Sequence, residues 1–417
     1  MVVLWTDALI YLLLLASLGL GWYLAAQRHL RRPLYTLVGS PVAMAALTVL
    51  LGFASIGLLD SIHFKDQQSR SNEAISVLDK LCASMRQQGE KTYSAPFAAH
   101  AYGKETMARE DGTTVWDYPR LQYAAAHLND PKQQWQLDVV QKAGLAILKS
   151  GMLVVLIGWL LTRYRDYFWN SPSAKALWLT VLLMVSSGYS FWILSDHYHV
   201  LGTDKVGEDV FYQALKSIRT GLVIGCLTTL VMLPLAVLFG ILAGFFKGWI
   251  DDVIQFIYTT LNSIPSVLLI AASILMVQVY MANHGDDFNN LLVRADMRLL
   301  FLCLILGVTS WTGLCRLLRA ETLKLREMEY VLAAQTLGVK PAMILFRHIL
   351  PNVMHIVLIS VVLDFSSLVL AEAALSYINI GVDPTTHSWG NMINSARLEM
   401  AREPVVWWPL TAAFGFM

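Results

Sequence analysis

The chain has 417 residues, with 31 Lys and Arg against 30 Asp and Glu, a formal net charge of +1. Apolar residues make up 56% and charged residues 15%, and the mean hydropathy is +0.52, so there is more apolar surface than one water-facing core can bury. This excludes an ordinary soluble domain, and the near-neutral charge argues for neither a nucleic acid nor an acidic substrate.

A membrane-spanning helix needs about 20 mostly apolar residues. Runs of this kind occur at roughly 4–26, 41–59, 145–162, 174–195, 217–245, 253–281, 299–319, 353–378 and from 405 onward, so the fold class expected is an all-α membrane protein of about nine transmembrane helices. The first run lacks a basic leader, carries Asp7 early and is followed by Arg28, Arg31 and Arg32. It reads as an anchor with its N-terminus outside rather than a cleaved signal. Residues 1–59 therefore hold two N-terminal membrane helices.

Residues 60–144 change character. They are polar, include Trp116 and Trp135, and carry turn signals at Ala95-Pro96, Asp111-Gly112 and Asp130-Pro131. Stretches 70–88 and 119–143 have helical composition, giving an α-rich domain that is marginal unless it packs on the membrane part. Residues 145–195 add two further membrane helices, and 196–417 hold the remaining runs.

Pro234 and Pro265 are each expected to interrupt a membrane helix and are the candidates for a gate or hinge, a fixed kink being the plainer reading. Gly240 and Gly244 form a small-xxx-small pair suited to close helix contact. Asp364 and Glu372 lie eight residues apart on the 353–378 run, a little over two turns, and so share a face. Each charge costs about 2.5–3.5 kcal/mol to insert at membrane depth. They are candidates to line a water-filled path between the helices; a structural hydrogen bond is the alternative, favoured for Glu372 near the outer end. The last run stops at Met417 without a charged flank, so the final helix reads as incomplete.

Loops 27–33 (Arg28, Arg31, Arg32), 163–175 (Arg163, Arg165, Lys175) and 319–347 (Arg319, Lys324, Arg326, Lys340, Arg347) concentrate positive charge. If nine helices alternate, all three fall on one side, which the positive-inside rule makes cytoplasmic. The N-terminus and segment 60–144 are then external.

Segment 321–351 is a polar interruption between apolar runs. Glu321 to Leu337 contains no Gly or Pro and predicts one helix. Gly338 supplies its stop, Pro341 fits the first turn of the next helix, and Pro351 precedes the following membrane run. Ala333 and Ala334 place small side chains before the turn, where a partner surface could approach closely, with Arg and Glu residues flanking. A solvated positive-inside loop is the alternative from composition alone.

The run Glu329-Tyr330-Val331-Leu332-Ala333-Ala334-Gln335-Thr336-Leu337-Gly338, ending in Arg347-His348-Ile349-Leu350-Pro351-Asn352, resembles the coupling loop of ABC-importer permeases. In that family the loop docks into a cleft on a separate ATPase subunit. Its Glu-Ala-Ala signature is altered here, Leu332 standing where the Glu is expected. Leu201-Gly202-Thr203-Asp204, with Gly207 and Asp209-Val210-Phe211, resembles the opening of the dipeptide/oligopeptide permease core. Leu370 to Ser376, with Gly381-Val382 and Ser388 to Met392, resembles the external re-entry before its last helix.

The resemblance is to the C-type subunit and covers about 200–417. It implies coupling residues Glu329, Tyr330, Ala333, Ala334, Gly338, Arg347, Leu350 and Pro351. It also implies a heterodimer with a B-type permease, two ABC ATPase subunits, an external substrate-binding protein, a peptide substrate and a bacterial inner-membrane location. The extra helices and segment 60–144 depart from the pattern.

No GxxxxGK[ST] frame occurs; Gly103-Lys104 is followed by Glu. ATP and Mg are therefore expected on the partners, with no cofactor on this chain, no catalytic residue and no enzyme activity of its own. His197 and His199 near Asp196 and Asp204 match no known metal spacing, and Cys82, Cys226, Cys303 and Cys315 are too scattered for a zinc site or disulfide framework, so no metal is expected. A membrane sensor or scaffold on a permease core is the rival reading, and nickel, oligosaccharide or antimicrobial peptides are alternative cargoes.

Overall fold

The computed structural model describes residues 4–26, 38–65, 74–108, 114–162, 171–285 and 291–417. Arg28, Arg31, Arg32, Arg163, Arg165 and the Asp111-Gly112 turn signal lie outside the described residues. The chain begins with helix α1 (Trp5–Ala26) and α2 (Pro41–Asp60), followed by strands β1 (His63–Lys65) and β2 (Ala74–Ser76). Short helices α3 (Val77–Leu81) and α4 (Ala83–Gln87) precede strands β3 (Glu105–Ala108) and β4 (Thr114–Asp117). Long helices α5 (Pro131–Thr162), α6 (Pro172–Ser195) and α7 (Val210–Phe246) follow. Next come α8 (Trp249–Ser263), α9 (Ser266–Asn283), α10 (Leu291–Arg326), α11 (Glu329–Thr336) and α12 (Pro341–Ile344). A π-helical turn (Leu345–Ile349) leads into α13 (Leu350–Tyr377), and α14 (Trp389–Glu399) and α15 (Trp408–Phe416) end the chain.

The fold is an all-α membrane type. Among the described residues, six helices are long and apolar enough to cross a bilayer: α2, α5 from Gln134 to Leu160, α6, α7, α9, and the stretch Pro341–Tyr377. Nine were expected. Of the other three apolar runs, 4–26 forms α1, 299–319 lies within α10 and contains Arg316 and Arg319, and the last forms α15.

Three local expectations are corrected. Segment 60–144 is less helical than its composition suggested: among its described residues it holds two antiparallel hairpins, β1–β2 and β3–β4, two five-residue helices and, from Pro131, the start of α5. The helix expected over 119–143 starts only at Pro131, because the chain before it spends its polar groups on tertiary bonds. The run 253–281 is two helices, α8 and α9, so Pro265 is the N-cap of α9 (φ −55°, ψ 119°) and not a kink inside one span; the residue before it, Ile264, takes the extended conformation that Pro imposes. Pro234 does lie inside α7, which continues through it.

The chain divides into two compact units. The first contains Tyr11–Thr220 and His387–Met417. Here α6 packs against both α5 and α2, and segment 60–144 is bound to the chain around residues 197–216 by buried polar contacts. Thr203 Oγ1 donates to the Thr92 carbonyl (2.9 Å) and accepts from the Ser94 amide (2.7 Å). Gly202 has φ +74°, and a Cβ there would lie 2.5 Å from the Ser94 carbonyl and 2.8 Å from Trp408 Nε1. Trp408, fully buried, donates from Nε1 to the Thr203 carbonyl (2.9 Å). The Leu-Gly-Thr-Asp motif is thus the seat of the preceding segment and of the last helix.

His199 sits at the centre of this seat. Its Nδ1 lies 2.8 Å from Asp209 Oδ2 and its Nε2 3.8 Å from Glu90 Oε1. The Glu90 carboxylate accepts the amides of Gln122 (3.0 Å), Tyr123 (2.8 Å) and Ala124 (3.3 Å). Burial by itself would lower the His199 pKa, but Asp209 and Glu90 outweigh it and raise it to about 9. Burial would raise Glu90, yet His199 and the three amides hold it at about 2. A second network joins Asp79, Ser76 and Asp60. Ser76 and Asp79 make a reciprocal capping box on α3, Ser76 Oγ donates to Asp60 Oδ1 (2.7 Å), and Lys216 Nζ and Tyr212 Oη donate to Asp79 Oδ1 (2.8 and 2.7 Å).

The second unit contains Leu4–Ile10 and Gly221–Thr386. Its core is built from Met232, Ala236, Ile241, Phe245, Ile254, Tyr258, Trp311, Leu314, Leu318, Val331, Ile344, Ile349 and Val353, among others. Gly240 and Gly244 bring α7 against α10: a Cβ would lie 2.8 Å from the Cys315 carbonyl and 2.6 Å from Thr322 Cβ, respectively. Thr6 and Asp296 are buried and hydrogen-bonded through both the Thr6 amide (3.3 Å) and its hydroxyl.

The His199 group yields a pH prediction. Its raised pKa means its stabilisation is complete below about 6.5 and is lost as pH rises through about 9; Glu90, depressed, contributes above about 4.5 and fails as pH falls toward 2. The coupled contribution is at most about 3 kcal/mol. Limited proteolysis of the solubilised chain within 74–108 should accelerate above pH 9. In His199→Leu, cleavage should already be fast at pH 7.5, with no alkaline step.

Candidate functional site: the 321–351 segment and intramembrane carboxylates

Helix α10 does not run on to Leu337 as the absence of Gly and Pro suggested. It ends at Arg326, Met328 turns extended (ψ 143°) as N-cap, and α11 starts at Glu329. The break lets α11 fold back so that Val331 and Ala334 are buried in the second unit's core. Ala333 is exposed. Only one of the two alanines therefore offers a small outward surface, since Ala334 is taken up internally.

The turn after α11 is a Schellman motif. The Val339 amide donates to the Ala334 carbonyl (3.1 Å) and the Gly338 amide to the Gln335 carbonyl (3.0 Å), with Gly338 at φ +74°. No heavy atom lies within 4 Å of where a Gly338 Cβ would be, so glycine is required by backbone conformation and not by crowding. Pro341 then occupies the first turn of α12. Leu337 is 82% exposed and Phe346 71%, and Tyr330, Leu332 and Met343 are also exposed. The segment thus presents an apolar knob on both sides of the Gly338 turn, with Met343 and Phe346 inside the apolar stretch Pro341–Tyr377.

Glu329, Arg347 and Pro351 are exposed and Leu350 is half-buried. Asn352 Nδ2 donates to Tyr330 Oη (3.1 Å) and to the His348 carbonyl (2.6 Å), fixing Tyr330 against the start of α13. The π-helical turn at 345–349 sits between the knob and α13, and π turns are enriched at functional positions. Nothing in the residue types of Leu-Phe-Arg-His-Ile announces it.

The two carboxylates on α13 are in different surroundings. Glu372 is buried, and its Oε1 accepts the Ser376 hydroxyl at 2.6 Å, one helical turn along. Asp364 is half-buried, with Ser366 and Ser367 exposed beside it. Their spacing leaves them about 80° apart around the helix, which is why one is enclosed and the other borders the outer surface.

Sequence reasoning missed the bidentate pair in which Arg319 Nε and Nη2 donate to Asp251 (2.6 and 2.7 Å), and the Glu90–His199–Asp209 group. The periodicity of α8 could have revealed the first, since Asp251, Ile254 and Tyr258 share a face. The second joins residues more than 100 positions apart and leaves no local signal. Among the described residues no group of three or more His, Cys, Asp or Glu is arranged to hold a metal. In the first unit an open cavity of about 300 Å³ is lined by Pro96, Phe97, His100, Pro131 and Trp135, among others.

Residues 236–417 match the family described as binding-protein-dependent transport system inner membrane component. The chain is 30% identical over 219 residues to the oligopeptide transport system permease protein OppC of Bacillus subtilis, covering 52% of this chain and 65% of that protein. It is 31% identical over 196 residues to the dipeptide permease DppC of Lactococcus lactis (47% and 52%), and 30% identical over 208 residues to the glutathione permease GsiD of Pectobacterium atrosepticum (50% and 63%). The chain therefore spans between half and two thirds of the length of the relatives it matches.

The different surroundings of the α13 carboxylates predict different mutant behaviour. Glu372→Ala, which strands the Ser376 hydroxyl in a buried site, should destabilise by about 1–3 kcal/mol. Asp364→Asn should change stability by less than about 1 kcal/mol. Thermal unfolding of the detergent-solubilised variants measures both.

Proposed function

We propose, for a chain whose residues 236–417 are a transport-system inner-membrane domain and which resembles dipeptide/oligopeptide permeases, that it is one permease subunit of an ATP-driven ABC importer for di- or oligopeptides. It forms half of the translocation path, pairs with a B-type permease, engages two ABC ATPases and receives cargo from an external substrate-binding protein. ATP and Mg belong to the ATPases. The chain is a multi-pass inner-membrane protein with segment 321–351 in the cytoplasm and segment 60–144 outside.

The observation that carries this reading is the exposed apolar knob of Leu332, Leu337, Met343 and Phe346, held by the Gly338 turn and rooted in the core through Val331, Ala334, Ile344 and Ile349. Its outer surface suits a cleft on a partner. Its inner surface is continuous with the packing of α7, α8 and α10, so a push on the knob is passed to the membrane helices. Two states of different nucleotide affinity then supply the switch between outward and inward access. Asp364 is the better candidate for the path, where it would meet a peptide ammonium; Glu372 holds α13 together. Pro234 is the remaining candidate hinge. Segment 60–144, with Phe97 and Trp135 around an open cavity, is a receiving surface for the binding protein or its cargo.

The test is affinity purification of the tagged chain from gently solubilised membranes. A second permease and ATPases bearing nucleotide-binding loops should accompany it; recovery of the chain alone under crosslinking rejects the reading. Gly338→Val places a β-branched residue at φ +74°, a strain of about 1–2 kcal/mol, and should leave the protein in membranes while separating ATP hydrolysis from uptake. Unchanged peptide uptake by that variant would remove the coupling role.

A further inference from the structure

Segment 119–130 lies over the turn that follows α6, and one of its residues is held in a disfavoured conformation. Ala125 is fully buried at φ +55°, a left-handed backbone that a Cβ opposes. Contacts with other parts of the chain keep it there. Glu90 takes the amides of Gln122, Tyr123 and Ala124, and the His197 carbonyl takes that of Ala125 at 2.8 Å. Ala125 and Leu128 pack with Leu194, Tyr198 and Val200, and Phe97 and Trp135 of the open cavity belong to the same cluster.

Ionisable side chains fasten the far end of the segment. His127 Nε2 lies 2.9 Å from Asp138 Oδ2 and 2.8 Å from Lys142 Nζ. Lys142 Nζ and Tyr198 Oη both donate to Asp138 Oδ2, at 2.8 and 2.7 Å. The His197 ring stands 4.9 Å from that of His127. An ammonium only donates, so the short Lys142 contact requires an unprotonated His127 Nε2. A proton added there turns a hydrogen bond into an approach of two cations. A proton on His197 adds a third positive charge beside a single carboxylate. Burial, then Lys142 and His127, hold the His197 pKa below its ordinary value against the pull of Asp196. Arg120, which donates to the Leu128 carbonyl, is a further cation on the segment, while His199 on the same turn is engaged by Asp209 and Glu90. In acid, four cations thus surround Asp138 and Asp196. Helix α5 has 32 residues, about 48 Å, which exceeds the roughly 30 Å of hydrocarbon. Its first turns, with Asp138 and Lys142 ahead of the apolar run from 145, are the part in excess, and His127 is exposed to solvent protons.

We propose that His127 and His197 form an acid-released latch, which holds the strained 125–128 stretch against the α6 turn while both rings are neutral and frees it when they take up protons. The contribution of His197 is complete above about pH 6.5 and is lost as pH falls below it. Glu90 stays ionised down to about pH 2, so the amides of 122–124 remain bound and the release is confined to the His127 end. Opening withdraws Ala125 and Leu128 from the cluster they share with Phe97 and Trp135, which loosens the wall behind the cavity. That the protons come from outside the cell rests on the orientation proposed above; the latch itself does not.

The test is backbone amide exchange, resolved to single residues, in the full chain purified in detergent with the partners that accompany it. Rates at pH 7.5 and pH 5.0 are compared after correction for the intrinsic pH dependence of exchange. Protection at Ala125 and Leu128 should fall by about tenfold or more in acid. The Gln122, Tyr123 and Ala124 amides on Glu90, and the bonded amides of Thr203, Val210 and Gln213, should keep theirs. In His127→Gln/His197→Gln the side-chain amides donate and accept without titrating, and the acid step should vanish. Each single variant should lessen it, which keeps the question decidable if the double variant fails to insert. Equal protection of Ala125 and Leu128 at both pH values would overturn the proposal, as would an acid step unchanged in the Gln variants. An acid loss shared by 122–124 and by Thr203, Val210 and Gln213 would overturn it too, because the whole unit would then be yielding. Absence of ATPases from the purified sample would reject the coupling reading while leaving this readout intact.

Discussion

The Asp209 carboxylate is the fixed point on which the first unit depends. Its Oδ1 accepts the amides of Phe211 (2.8 Å) and Tyr212 (3.2 Å), satisfying donors that the start of α7 would otherwise leave open, while Oδ2 holds His199. His199 in turn faces Glu90, and Glu90 gathers the amides of residues 122–124. One aspartate thus links the start of a membrane helix, the loop before it and a segment more than 80 residues upstream. Removing any one partner leaves a buried charge uncompensated, which is far costlier than the intact group is stabilising.

The same logic governs the second unit, where bilayer and core offer polar groups no water. Arg319 pairs with Asp251 through two donors, Thr6 with Asp296, and Ser376 with Glu372. Glycines at 240 and 244 permit the close approach of α7 and α10 that lets such short-range partners meet. Close packing and polar satisfaction are in this sense one requirement.

Segment 321–351 shows how a rigid knob is made from few residues. The Schellman turn reverses the chain at Gly338, Val331 and Ala334 anchor one side, Ile344 and Ile349 the other, and the large apolar residues left over point away. Exposed apolar surface of this kind marks a place where another apolar surface can be met.

Composition and apolar run length determined that this is a helical membrane protein, because a bilayer imposes both on any chain that crosses it. Short motifs pointed to the part of the chain that matches the transport-system family, and Gly338 with Pro341 determined the turn, because φ beyond zero and a missing amide are properties of single residues. What lay beyond the sequence was whatever depended on partners far along the chain. The break at Met328, the burial of Ala334 but not Ala333, and the enclosure of Glu372 but not Asp364 were decided by packing against other helices. So was the sparse helix content of 60–144, where the Thr203 hydroxyl, the His199 carbonyl and the Glu90 carboxylate take up backbone groups that local helices would have used. Propensity is worth a few tenths of a kcal/mol per residue, and a buried ion pair or a filled core position outweighs it.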